Sequence, residues 1–180
     1  FVGETVFQRR IFPLNTITIT SDPSPQPIIG TVQNLTITAI LAITHDTFLG
    51  YQCFKGDITD ADFNAFLIQL LNNNKDIHER LDDYVLVMDG GFVDHHKDHP
   101  EFYAFLPTIF LPVHGTVLSP IEDLLIEWKR IVKVPPVRDY EEFKHCVITS
   151  FKKLNYSLLP KAYNFSQTYY PKCLKGVPIG

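Results

Sequence analysis

Two acids hold positions from which they could do chemistry. Asp89 closes an apolar run, Tyr84 to Met88, and Glu122 opens an amphipathic one just after Pro120. A strand that ends on one carboxylate and a helix that begins on another can gather anionic oxygens around a hard divalent cation, which activates water or a hydroxyl for attack at phosphorus. The carboxyl end of a central strand is also where open α/β sheets place their ligands. Structural readings compete with this one. Ser119-Pro120-Ile121-Glu122 fits an S-x-x-E capping box with proline at the first helical position, and Asp89 before Gly90-Gly91 fits a turn acid. The run Asp94-His95-His96-Lys97-Asp98-His99 holds ligands competent for a transition metal, and it reads equally as a hydrophilic loop tip.

The elements that must position these acids follow from periodicity. Residues 1 to 12 and 14 to 20 read as extended runs, and 21 to 30, with three prolines, as a surface loop. Asn34 to Thr44 and Phe48 to Phe54 form a predicted hairpin across His45-Asp46-Thr47. Phe63, Phe66, Leu67, Leu70 and Leu71 fall at helical spacing, which predicts a helix over 57 to 74 with Thr59 as its N-cap. Tyr84 to Met88, without polar alternation, is expected to be a central strand covered on both faces. A short helix over 99 to 106, a strand over 109 to 113 and a strong helix over 119 to 133 follow. The last buries Ile121, Leu124, Leu125, Trp128, Ile131 and Val132, and Pro135-Pro136 stops it. Tyr140 to Leu154 is a further amphipathic helix, and the tail from Tyr163 to Gly180 is expected to be irregular. Strands first, then strand and helix in alternation, give a mixed sheet with helices on its faces.

Composition bounds the function. The chain of 180 residues, 45% hydrophobic with 14 Phe and 8 Tyr, is long enough to bury one ordinary core without staples. Cys53, Cys146 and Cys173 are odd in number and lack C-x-x-C spacing, which argues against a disulfide framework or a zinc site and for a reducing compartment. No apolar run approaches the length of a membrane span. The net charge of −4 is unfavourable for phosphate neutralisation, although basic residues gather at Arg9-Arg10, at Lys129, Arg130 and Lys133, and between Lys144 and Lys175.

Val87-Met88-Asp89-Gly90 and the run Leu111-Pro112-Val113-His114-Gly115-Thr116-Val117-Leu118-Ser119-Pro120-Ile121-Glu122 together resemble a known signature. In mariner-type (DDE superfamily) transposases and related bacterial insertion-sequence transposases, a strand ends in V-M-D-N and is followed by L-P-P-Y-S-P-x-L-N-P-I-E-x-x-W. The opening FVGET resembles the family's F-V-D-E-T strand, the segment from Gly50 to Leu71 its hairpin and helix, and YYPKCL a tail of eukaryotic members. The resemblance covers nearly the whole chain. It implies an α/β chain of RNase H-like fold, a five-stranded mixed sheet flanked by helices. It also implies a single domain over 1–180, expected to be a fragment of a longer chain that carries DNA-binding domains before it.

The family's chemistry uses three carboxylates holding two Mg²⁺ or Mn²⁺ ions. By resemblance Asp89 and Glu122 are the second and third of these catalytic metal ligands, and the first acid's place is taken by Gly3. Glycine offers no ligand. Glu4 next to it projects from the other face of a strand and cannot substitute without a bulge. Two readings stand on this point: a nucleic-acid-associated domain with impaired catalysis, for which Mg²⁺ or Mn²⁺ is optional, or an active DNA endonuclease changed at position 3 in this copy. A protein-interaction scaffold is a third. The expected partners are DNA, through the full-length protein, and a second copy or another protein, with no membrane and a nuclear location.

Overall fold

The computed structural model describes residues 1–11, 33–89, 106–112 and 115–177. The predicted segments over 14 to 20, 21 to 30 and 99 to 105, the His-rich run, and Gly90, Val113 and His114 lie outside them.

The sheet is built on the predicted hairpin. Strand β2 (Gln33–Ile43) pairs antiparallel with β1 (Val2–Ile11) in unbroken register from Val2 opposite Ala42 to Ile11 opposite Gln33. On its other side it pairs antiparallel with β3 (Phe48–Lys55). Two short strands, β4 (Leu86–Met88) and β5 (Thr108–Phe110), join on the far side of β1, parallel to it and to each other. The order is β3-β2-β1-β4-β5, a mixed five-stranded sheet. Seven successive residues of β2, Ile37 to Ile43, are buried, so β2 is the strand covered on both faces. The expectation of that role for Tyr84 to Met88 is corrected: only Leu86 to Met88 pair, Val85 is exposed and Val87 is half-buried.

Helices cover both faces. Helix α1 (Asp60–Asn73) packs Phe63, Phe66, Leu67 and Leu70 against Val2, Ile40, Ala42, Leu86 and Met88. Its start is a complete capping box: the Asp62 N–H donates to Thr59 Oγ1 at 3.2 Å and the Thr59 N–H to Asp62 Oδ2 at 3.1 Å. Asn74 ends it, its Nδ2 donating to the Leu70 carbonyl at 2.7 Å. A short α2 (Lys75–Glu79) and a 3₁₀ turn (Leu81–Asp83), neither expected, lead into β4.

The opposite face carries α3 (Pro120–Ile131), α4 (Tyr140–Phe151) and α5 (Leu158–Gln167), followed by α6 (Tyr170–Leu174). Ile121, Leu124, Leu125 and Trp128 of α3 pack with Phe7, Ile37, Leu41, Phe143, Val147 and Leu159 in the second core cluster. Trp128 is fully buried, and its Nε1–H donates to Ser150 Oγ at 3.0 Å and to the Val147 carbonyl at 3.2 Å. The expectation of an irregular tail is also corrected. The buried side of α5 is Leu159, Ala162 and Ser166, at helical spacing but with two small residues, so hydrophobicity alone hides its period. Pro160 and Pro171 sit in first helical turns, where a missing N–H costs nothing. The Tyr170 hydroxyl donates to the Leu118 carbonyl at 3.1 Å and ties the tail to the turn that precedes α3.

Candidate functional site

Asp89 follows directly on β4, and Val2 of β1 is paired with Met88, so position 3 and Asp89 lie on neighbouring strands at one end of the sheet. Glu122 is the third residue of α3, half-buried where the helix begins. Its carboxyl pKa is raised, first by burial and then by the negative charge of Asp89, with Lys129 pulling the other way. The two acids named from sequence therefore share one corner of the molecule and repel each other there.

The capping-box reading of Glu122 is not what the structure holds. Ser119 occupies the N-cap position, but its side chain makes no capping bond, and only the backbone joins the pair, the Glu122 N–H donating to the Ser119 carbonyl at 3.3 Å. Pro120 at the first helical position has no N–H to satisfy, which lowers the demand for a cap. The Glu122 carboxylate is thus not committed to closing its own helix.

Gly3 is buried beneath α3. A Cβ placed there would lie 2.9 Å from Ile121 Cγ2 and 3.2 Å from Leu125 Cδ1. The space that any side chain at position 3 would need is filled by two aliphatic side chains of the helix that carries Glu122. Leu125 stands where the E-x-x-W signature has its tryptophan, and the tryptophan of this chain, Trp128, comes nearly one turn later. The motif's tryptophan place, three positions past Glu122, is the signal that singles out Leu125; Ile121 carries none beyond being apolar.

Glu4 does not compensate. The pairing of β1 with β2 runs without a bulge, Glu4 is opposite Ile40, and Ile40 belongs to the cluster beneath α1. Glu4 therefore projects toward the α1 face while position 3 faces α3. Among the described residues no three His, Cys, Asp or Glu side chains come close enough together to hold a metal ion. An arrangement of three carboxylates with one at position 3 does not fit the described residues of this corner, where Asp89 and Glu122 are the two acids brought together.

A cleft of about 240 Å³ opens beside Glu122, lined also by Asp123, Ile126 and Phe165. Asp123 has its carboxyl pKa raised by burial. Cys53, Cys146 and Cys173 are all free thiols. Among the described residues no helix is long and apolar enough to cross a membrane.

No protein-family model and no curated protein matches the sequence. Solved structures do match. The mariner Mos1 paired-end complex with Mg aligns over 97% of this chain with a TM-score of 0.62 at 13% identity. The Mos1 strand transfer complex aligns over 97% with a TM-score of 0.58 at 14% identity. The catalytic domain of Mos1 mariner transposase alone gives 97%, 0.58 and 12%. The chain spans 55% of the transposase chain in the paired-end complex and 81% of the isolated catalytic domain. At this identity the likeness is one of fold: the chain has the RNase H-like fold of the mariner transposase catalytic domain, a five-stranded mixed sheet between helical layers.

Proposed function

We propose that this chain is a transposase-derived RNase H-like domain that associates with nucleic acid and is impaired in metal-dependent strand cleavage and transfer. The observation that carries the reading is the packing of Ile121 and Leu125 over Gly3, which leaves no first carboxylate and no room for one without repacking. Asp89 and Glu122 remain as donors for at most one weakly held Mg²⁺ or Mn²⁺. When bound, such a cation would act as a Lewis acid on a phosphate oxygen. DNA as partner is supported by the likeness to transposase structures solved as paired-end and strand-transfer complexes. A nuclear location goes with that partner.

The second reading is an active endonuclease or transposase whose position 3 is changed in this copy. It is favoured by one observation: Glu122 is free of the capping role and acts electrostatically with Asp89, as a retained half-site would. Nicking of supercoiled plasmid in Mn²⁺ separates the two. The impaired reading expects no nicking by the parent chain. Cleavage by the parent that disappears in Asp89→Asn would overturn it. Cleavage gained by Gly3→Asp combined with Ile121→Leu, which removes the obstructing Cγ2, would mean that the half-site is still poised. A protein-interaction scaffold, favoured by the net charge of −4, expects almost no salt dependence of DNA binding.

A further inference from the structure

At the sheet edge farthest from Asp89, two lysines converge on one aromatic ring. Lys55, the last residue of β3, has its Nζ 5.4 Å from the centroid of the Tyr140 ring, and Lys144, one turn into α4, has its Nζ 6.0 Å from the same centroid. Both distances are within the range in which a ring quadrupole holds an ammonium. Neither lysine is in an ion pair with a described carboxylate. Two acids of this helix start are engaged elsewhere: Glu142 takes Arg138, and Asp139 accepts from the Glu142 N–H. Glu141, next to Tyr140 in the chain, is exposed.

Two like charges on one ring repel, and the ring offsets only part of that repulsion. An anion between them completes the arrangement. Tyr140 is half-buried, so the lysines are held on a fixed body rather than swinging on free stems, and less rotamer entropy is given up when an anion binds. Phosphates recur every ~3.4 Å of axis along a nucleic-acid strand, which suits two neighbouring ammoniums better than a single isolated anion does.

We infer that Lys55, Tyr140 and Lys144 form a phosphate-backbone contact for nucleic acid, separate from the Asp89 and Glu122 corner. This inference rests on the nucleic-acid reading above, and it supplies a binding surface that survives the absence of the first catalytic carboxylate. The α4 end of β3 and the β4 end of the sheet are separated by β2 and β1, so the two surfaces are independent.

The test is anisotropy of a short labelled duplex of mixed sequence, titrated with the 180-residue chain over a series of salt concentrations. Removing one lysine that neutralises a duplex phosphate should lower the slope of log K against log salt by about 0.9. Lys55→Gln with Lys144→Gln should lower it by about 1 to 2, while Lys75→Gln on α2, with the same type of charge change, should leave it unmoved. Tyr140→Phe should bind like the parent and Tyr140→Leu more weakly, since only the ring orders the lysines. An unchanged slope in the double variant, or an equal decrease in Lys75→Gln, overturns the inference while leaving nucleic-acid association intact. Absence of duplex binding by the parent at low salt overturns both. Binding of a phosphopeptide but no duplex at this ring would make the site a protein contact and likewise overturn it.

Discussion

Gly3 and Ile121 are packed so closely that a single added carbon at Gly3 would come within 2.9 Å of Ile121 Cγ2. That methyl is on a β-branched side chain, stiff at χ1 in a helix, so it cannot swing aside cheaply. Two effects of opposite sign meet in Gly3→Ala. Relief of glycine's backbone entropy in a strand is worth roughly 0.5–1 kcal/mol, and overpacking a well-filled core costs about 1–3 kcal/mol. Overpacking should win, with a net loss of on the order of 1 kcal/mol in urea unfolding. Ile121→Leu conserves volume and removes Cγ2, so the double variant should recover most of that loss. Simple additivity of the two changes would show that α3 does not rest on Gly3 in this way.

The raised pKa of Glu122 has a consequence for stability. A carboxyl whose folded pKa lies above its unfolded value holds its proton more tightly in the fold. Its contribution is therefore full below the ordinary glutamate range and is lost as pH rises through the raised folded value. Above that window the ionised Glu122 weakens the fold, because burial and the Asp89 charge both oppose ionisation. Glu122→Gln should accordingly raise Tm at neutral pH and leave it unchanged under acidic conditions. Asp89→Asn should lower the Glu122 carboxyl pKa, as read by carbon-detected NMR titration. A Glu122 titration that ignores Asp89→Asn would mean that the two acids are not neighbours.

The two predicted helix caps behave differently. Thr59 and Asp62 form both bonds of a capping box, so Thr59→Ala should cost about 1 kcal/mol. The Ser119 side chain caps nothing, so Ser119→Ala should cost well under that despite its more complete sequence motif. Equal losses in the two variants would contradict the geometry. Both segments carry a cap residue followed at the third place by an acid. Proline at the first helical position, together with tertiary placement of Glu122 against Asp89, decides between them.

The same contrast marks how far sequence carried. The hairpin, α1, α3 and α4 were legible because their apolar residues recur at a clear period over many positions, as in Ile121, Leu124, Leu125 and Trp128. α5 was not, because Ala162 and Ser166 bury without being strongly hydrophobic. The most covered strand is β2 and not the expected Tyr84 to Met88, because an apolar run of five does not reveal that its first two residues lie outside the ladder. Of the candidate site, the nearness of Asp89 and Glu122 was legible, because a strand end and a helix start were expected at those positions. The packing of Ile121 and Leu125 over Gly3 was not, because it depends on how close α3 lies to β1, a distance set by the whole core.

Divalent cation binding offers the last and most direct check on what remains of the corner. Asp89 and Glu122 repel each other, so a cation between them would relieve a cost already present in the fold. Mn²⁺ should therefore raise Tm modestly, with each tenfold excess over its Kd adding about 1.4 kcal/mol by mass action. The gain should fade as pH falls and Glu122 takes up its proton, and Glu122→Gln should abolish it. Gly3→Asp with Ile121→Leu restores a third oxygen donor and should shift the same gain to lower Mn²⁺ concentration. If the double variant binds no better than the parent, position 3 does not face the pair and the impairment proposed from Gly3 falls. If the parent already shows tight two-site binding, the corner is a working metal centre and Gly3 has been compensated.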